Sequence, residues 1–269
     1  MRAALPACVG LLALVATPAA AVEDTPAATT TLSRAPVEQP FSYLVDPHGP
    51  GARQVLAGYA LAFSSTAGAI RPIPGNFDSE GIVHQLALEV GALDQLRVYA
   101  QTLIAQSLGA SSDVTAVAVQ LGGRAILTPM RWRVFRLMLT GAFLREFGAD
   151  LGMFGELTAT VDLGRVRLAA AVHTEHIFAE RRDPIDLYAV LGVSVRVTPI
   201  LRLGAEYVAQ DLEALADEDE DAEGGARHYV GPDVALSLRK NHLLLTGGAA
   251  VELAGVPGVL ARAALTCVY

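Results

Sequence analysis

Cysteine, lysine and aromatic residues are scarce in this chain of 269 residues. The cysteines are Cys8 and Cys267, and the lysine is Lys240. Cys8 falls in an N-terminal apolar stretch, so we expect one cysteine in the mature chain, which excludes an internal disulfide and a Cys/His zinc site. A net charge of −8 argues against nucleic acid as a partner. No cofactor, metal or nucleic-acid partner is expected.

Long uninterrupted apolar runs are also missing after the N-terminus, although 52% of the residues are hydrophobic. The best candidate for a membrane helix, residues 243–261, contains Glu252 and Pro257. A central acidic residue costs about 2.5–3.5 kcal/mol on insertion scales. A chain that is apolar on average but has no helical span is typical of a β-barrel, in which every second residue faces lipid.

The first 21 residues have the pattern of a signal peptide. Arg2 supplies the positive start, residues 8–16 form a short apolar core, and Pro18 precedes an Ala-Ala-Ala run. We predict cleavage after Ala21. The alternative, an uncleaved anchor, is disfavoured because the apolar run is too short to span a bilayer.

A Pro- and Thr-rich stretch of low aromatic content follows the signal peptide, and we assign residues 22–53 to a periplasmic linker and lead-in. Within it, residues 41–53 remain open between a lead-in and an extra short strand. From residue 54 to 269 the chain shows segments of about 12 residues with alternating apolar positions, punctuated by turn residues. The predicted strands are 54–65, 81–92, 95–106, 113–126, 132–146, 152–162, 165–178, 187–198, 200–211, 227–239, 242–253 and 258–269.

The connections between these segments alternate in length. Five are very tight, and the long ones are residues 66–80 and 212–226. Short turns on one side and longer loops on the other are typical of outer-membrane barrels. The predicted fold is therefore all-β, a transmembrane antiparallel up-and-down barrel of about 12 strands, with 10 to 14 possible.

The C-terminal segment GVLARAALTCVY resembles the last strand of bacterial outer-membrane β-barrel proteins. Apolar residues occupy alternate positions before a terminal aromatic residue, and Leu265, Cys267 and Tyr269 form the end of that pattern. The resemblance implies a Gram-negative outer-membrane location, contact with outer-membrane lipid and lipopolysaccharide, and recognition by the barrel-assembly machinery. It is specific for architecture and indicates little about activity.

Charged residues recur on the face of each strand that would point inward. We expect these residues to line the lumen: Arg97, Arg136, Arg167, Arg196, Arg202, Glu206 and Arg262. The excess of arginine would favour anions in an open channel. In a filled lumen, the same arginines would pair with carboxylates across the wall. Twelve strands lie between filled and open barrels, so both remain possible.

Two further clusters contain residue types that can bind metals or transfer protons. His173 and Glu175 would both point inward, as a metal-binding or acid–base pair or, as we favour, as an ordinary lumen hydrogen-bond pair. The acidic run 211–223 could attract calcium, but it lacks a calcium-loop pattern and fits a solvated external loop better. No catalytic residues are predicted, since the chain lacks the His-x-Ser motif that resemblance to an outer-membrane phospholipase would require.

These features favour a small porin-like channel for polar or anionic solutes. The alternatives are a closed structural or surface-interaction barrel that acts through its external loops, a lipid-modifying enzyme, and a secreted β-sandwich.

Overall fold

The computed structural model describes Val37 and residues 39–65, 81–108, 114–129, 132, 134–147, 151–178, 185–210, 212, 226–238, 242–253 and 258–269. The predicted signal peptide, both long loops and nearly all of the acidic run lie outside these residues. Within the described part of the chain, no helix has the length and hydropathy needed to cross a membrane.

Twelve antiparallel strands close into a single barrel, as the sequence predicted. Each strand pairs with its neighbours in chain order, and β1 pairs with β12 to close the ring. The strands are β1 Val55–Ser64, β2 Gly81–Leu93, β3 Leu96–Ser107, β4 Val114–Ile126, β5 Phe135–Glu146, β6 Leu151–Leu163, β7 Val166–Ile177, β8 Asp186–Arg196, β9 Leu201–Gln210, β10 Arg227–Leu238, β11 Leu243–Glu252 and β12 Val259–Val268.

The two faces of the wall follow the period of two in the sequence. Along β7, buried residues alternate with half-buried or exposed ones from end to end. The outer face carries exposed leucine, valine and phenylalanine on strand after strand, among them Leu121, Phe143 and Leu157. An apolar belt of this kind suits a hydrocarbon environment, because exposing a continuous apolar surface to water is unfavourable.

Tight turns join the strands at one end of the barrel, which we call the tight-turn end. β6 and β7 are joined by two residues, with Gly164 at φ 70°, a conformation that glycine adopts without steric cost. β2 and β3 are likewise joined by two residues. The opposite end, to which residues 66–80 belong by sequence, is the long-loop end.

A stretch before β1 lies inside the barrel, and we call Val37 with residues 39–53 the luminal segment. Val37 packs on Leu56, Leu244 and Val268 at the tight-turn end. Phe41 and Leu44 are fully buried further inside. The chain then returns to the tight-turn end, where Arg53 N–H donates to the Gly91 carbonyl (2.8 Å) and β1 begins.

Residues 39–53, part of the stretch that the sequence assigns to a periplasmic linker and lead-in, contact the inner wall of the barrel. Residues 39–53 contain no strand, so they do not add a strand to the barrel wall. The sequence predicts a linker from the Pro and Thr content of the stretch and leaves residues 41–53 open between a lead-in and a short strand. The partners of the segment lie on strands 50 to 164 positions away, so no local pattern indicates them.

Above the luminal segment, towards the long-loop end, part of the interior is apolar. Val83, Leu103, Leu144 and Ile177, which come from four different strands, belong to one buried cluster. The lumen therefore holds the luminal segment, whose Phe41, Tyr43 and Leu44 join an apolar cluster with residues of the wall, and a second apolar patch towards the long-loop end.

Candidate functional site

The residues predicted to line the lumen are found at these places. Arg97, Arg136, Arg167, Arg202 and Glu206 are buried in the barrel interior. Arg196 and Arg262 are partly exposed, and Arg262 borders an internal cavity. Their role in transport stays a prediction, but the structure shows that several of them hold the luminal segment.

Glu206 on β9 anchors the top of the luminal segment. Its carboxylate accepts hydrogen bonds from three consecutive backbone N–H groups, those of Ser42 (2.8 Å), Tyr43 (3.0 Å) and Leu44 (3.1 Å). Successive N–H groups that converge in this way form an anion-binding concavity. The carboxylate therefore compensates the buried backbone donors of a segment that has no strand partners of its own.

Gly192 on β8 provides the space for Phe41. Gly192 and Glu206 are register partners on adjacent strands. A Cβ built on Gly192 would lie 2.6 Å from Cε1 of Phe41, closer than such atoms approach. Glycine at this position thus lets the ring lie directly on the wall, next to the carboxylate that holds the following backbone.

Ion pairs hold the lower part of the segment. Asp46 accepts from Arg167 on β7 (2.8 Å) and from His48 within the segment (2.7 Å). His48 Nε2 also lies 3.3 Å from Asp162, which itself pairs with Arg167 (2.7 Å). Burial raises the pKa of Asp46, but Arg167 and His48 lower it more, and the net pKa lies below its usual range.

The opposite wall contributes a second contact. Arg97 on β3 donates to the carbonyl of Pro47 and lies 3.6 Å from Glu89 on β2. Glu89 also accepts from Arg124, whose guanidinium sits 4.1 Å from the centre of the Tyr99 ring. Because the segment contacts both β3 and β7, it spans the lumen from wall to wall.

A directional chain of side chains runs along the inner wall. Arg262 on β12 donates to Gln85 Oε1 (2.7 Å), Gln85 Nε2 donates to Gln101 Oε1 (2.7 Å), and Gln101 donates to Gln120. Arginine can only donate, so it fixes the orientation of each amide in turn. The chain ends at Gln120 Nε2, a buried donor with no partner among the described residues.

A cavity of about 110 Å³ lies between the luminal segment and the wall formed by β12 and β1 to β4. On the wall side it is bordered by Gln85, Gln101, Arg124 and Arg262. Beyond Leu56, the inward residues of β1 are all small, namely Gly58, Ala60, Ala62 and Ser64, and Gly58 and Ala60 leave room for the cavity. A water molecule needs roughly 10–15 Å³ of such space, so the cavity has room for several waters or a small solute.

His173 contacts a different carboxylate from the one considered in the sequence. Its Nδ1 lies 2.9 Å from Glu156, which is directly opposite on β6. Glu175 is also buried, two residues further along β7. The His173 ring stacks on Tyr188 at 4.5 Å between ring centres. Cross-strand neighbours are closer than residues two apart on one strand, which explains the change of partner.

The three residues of the C-terminal pattern face outward. Leu265 and Tyr269 are exposed and Cys267 is half-buried. The Tyr269 backbone exchanges hydrogen bonds with Val55 (2.9 and 3.2 Å), so the terminus takes part in closing the barrel.

No protein-family model matches the chain, and no curated protein matches its sequence. Structural comparison finds similar barrels. The KdgM porin in complex with disordered oligogalacturonate aligns with a TM-score of 0.54 at 6% identity, over 79% of this chain and 98% of that chain. A second structure, KdgM porin alone, gives 0.52 at 7% identity over the same shares, 79% and 98%.

An outer membrane channel from Pseudomonas putida F1 aligns with a TM-score of 0.49 at 12% identity, over 86% of this chain and 100% of that chain. At identities this low a likeness reports the fold and not the activity. Together with the closed ring of strands and the apolar outer belt, the KdgM likeness shows that the chain has the fold of a bacterial outer-membrane β-barrel.

Proposed function

We propose that this protein is a small channel of the outer membrane for polar solutes, narrowed from inside by its own luminal segment. The observation that carries the proposal is the cavity beside that segment, bordered by charged and amide side chains, within a closed barrel whose outer belt is apolar. Solutes would pass along the wall of β12 and β1 to β4. The exported, outer-membrane location and the signal peptide belong to the same proposal.

The charges along the cavity support a preference for anions. Arg97, Arg124 and Arg262 border it, against Asp46 and Glu89, so three cations face two carboxylates. Rings of arginine favour anions in pores. The KdgM structures are named as porins, one of them with an acidic oligosaccharide, which agrees with such a role for a barrel of this shape.

The second candidate is a closed barrel that acts through its external loops. The luminal segment, together with the apolar patch of Val83, Leu103, Leu144 and Ile177, favours this reading, because both reduce the open cross-section. A hydrophobic constriction can stop conduction even where it leaves some space.

Single-channel recording separates the two. The mature chain would be purified in detergent, its fold checked by heat-modifiable gel migration, and currents recorded in a planar bilayer. A channel predicts discrete conductance steps with a reversal potential that shows anion preference. A folded barrel that carries no current, either as the full chain or after Glu206→Ala loosens the luminal segment, would contradict the channel proposal and favour the closed barrel.

A further inference from the structure

Arg262 is a cation without a carboxylate partner in the lumen. Its hydrogen-bond acceptor among the described residues is the neutral Gln85, and no carboxylate of that part of the chain lies within ion-pair distance of it. Glu206 acts on it only at longer range, and the Glu206 oxygens are taken up by the N–H groups of residues 42–44. An unpaired charge in such a setting is costly unless a ligand compensates it.

The guanidinium of Arg262 is accessible to a ligand from the cavity. The side chain lies deep in the barrel, yet part of its surface remains accessible because it borders the cavity. On β1, the strand between Arg262 and Gln85, the neighbouring inward residues are Ala60 and Ala62. Their small side chains leave the space into which the guanidinium points.

The amide chain adds donors to this charge. Gln85 and Gln101 each receive a hydrogen bond on the amide oxygen and donate one from the amide nitrogen, starting from the guanidinium, and Gln120 receives the last one. Hydrogen bonds arranged head to tail polarise one another, so the donor character of the amide nitrogens increases along the chain. Gln120 Nε2, the last donor, is buried and unpartnered among the described residues. Among the residues that border the cavity, the donors on this side are the guanidinium of Arg262 and the amides of Gln85 and Gln101.

We propose that Arg262, together with Gln85 and Gln101, forms a binding site for a small oxyanion, a carboxylate or a phosphate, in the cavity beside the luminal segment. The guanidinium matches the planar, paired oxygens of such a group, and the second hydrogens of the two amide groups are free to donate to the remaining oxygens. This inference rests on the proposed function in one respect, that a solute reaches the site through the lumen. It adds the chemical class of solute that the channel would bind.

Binding is tested on the full mature chain folded in detergent micelles, by isothermal titration with sodium acetate, with inorganic phosphate and, at the same ionic strength, with sodium chloride. The site predicts saturable binding of acetate or phosphate and none of chloride. Tighter acetate binding would assign the site to organic acids, and tighter phosphate binding to phosphate compounds. Absence of saturable binding for both would overturn the proposal.

Variants locate the binding. Arg262→Gln is expected to weaken the affinity by about tenfold or more, since a charge-assisted hydrogen bond is lost. Arg262→Lys should retain part of it, because the charge remains and the paired donors do not. Arg165→Gln, on the exposed turn before β7, makes the same change of charge away from the cavity and should bind as the parent does. Unchanged affinity in Arg262→Gln would refute the assignment.

A second pair of variants covers the case in which Arg262→Gln does not fold. Ala60→Leu fills the cavity from β1 without touching the charge, and Ala57→Leu adds the same side chain on the outward face. Loss of binding in the first with retention in the second supports the site; equal binding in both contradicts it. Conductance without oxyanion binding would contradict the binding site and leave the channel proposal intact. Oxyanion binding without conductance would contradict the channel proposal and leave the binding site intact.

Discussion

The ring of Phe41 lies directly on Gly192, with 2.6 Å between Cε1 and the position a Cβ would take. No side chain fits between the luminal segment and this part of β8 unless one of them moves. The contact joins a residue before the first strand to a residue on the eighth, so it depends on the closed barrel. It is also the point at which a single methyl group can push the segment away from the wall.

Gly192→Ala is expected to displace the luminal segment and to raise its susceptibility to protease. The reason is overpacking, which typically costs about 1–3 kcal/mol when a group is forced into a filled site. Limited proteolysis followed by mass spectrometry would report cleavage within residues 39–53. Gly141→Ala on β5 is the matched control, because a Cβ there meets nothing within 4 Å. Equal protection in both variants would show that the Phe41 contact does not hold the segment.

Glu206→Ala should release the same segment by a different route. It leaves the N–H groups of Ser42, Tyr43 and Leu44 without their common acceptor, and hydrogen bonds to a charged group contribute about 1.5–3 kcal/mol each. Hydrogen exchange of these three amides should accelerate strongly. Glu206→Gln should have a smaller effect, since one oxygen remains as an acceptor. Glu252→Gln, near the long-loop end of β11, serves as the control for loss of one carboxylate.

The Asp46 carboxylate makes the attachment of the segment sensitive to acid. Because the pKa of Asp46 in the folded barrel lies below its ordinary value of 3.8, its contribution is fully present above that value. The contribution is lost as the pH falls through the lowered pKa. We expect the protection of the amides of residues 42–48 against hydrogen exchange, measured relative to the intrinsic rate at each pH, to be unchanged between pH 7 and 5 and to fall well below pH 3.8.

Asp46→Asn mimics the protonated state and should show the faster exchange already at pH 7, where the parent is protected. If Asp46→Asn exchanged as slowly as the parent at pH 7, the ion pair with Arg167 would have no part in holding the segment.

The outward face of the barrel predicts a depth-dependent cost for charge. Leu157 is exposed at the middle of β6, whereas Leu163 is exposed at its tight-turn end. Arginine on the lipid face costs about 2–4 kcal/mol at the bilayer midplane and about 0–1 kcal/mol near the interface. Urea unfolding in lipid vesicles should therefore show Leu157→Arg to be much less stable than Leu163→Arg. Equal stabilities would mean that this face does not meet the hydrocarbon.

The architecture could be derived from the sequence because its signal is local and repeated. The alternation along residues 165–178 and its recurrence in eleven other segments predicted twelve strands, and each predicted boundary lies within three residues of the observed one. The pattern works because side chains in a strand point to opposite faces in turn. The same logic gave the order of the tight turns, since antiparallel neighbours need few residues to reverse direction.

The luminal segment could not be derived in the same way. Residues 39–53 have no periodicity, and their Pro and Gly content is typical of a linker. Nothing near Phe41 in the chain reports Gly192, and nothing near Ser42 reports Glu206. In the sequence, Glu206 is one charge on the polar face of a strand; only the closed barrel brings it to three backbone donors. The sequence paired His173 with Glu175 on the same strand, whereas the structure places it opposite Glu156 on β6. The register between two strands decides this, and one strand's sequence does not contain it.

The sequence by itself determined the strands, their two faces and the closure into a barrel, because hydrophobic alternation and turn chemistry act over neighbouring residues. The tertiary structure decided which residues fill the lumen, which carboxylates accept hydrogen bonds from the luminal segment or pair with arginines, and where a cavity remains. Those features depend on residues that meet across the barrel, through distances set by strand register and by small side chains such as Ala60 and Gly192. Arg262 belongs to both: its place on an inward face follows from the pattern, and its lack of a carboxylate partner follows only from the fold.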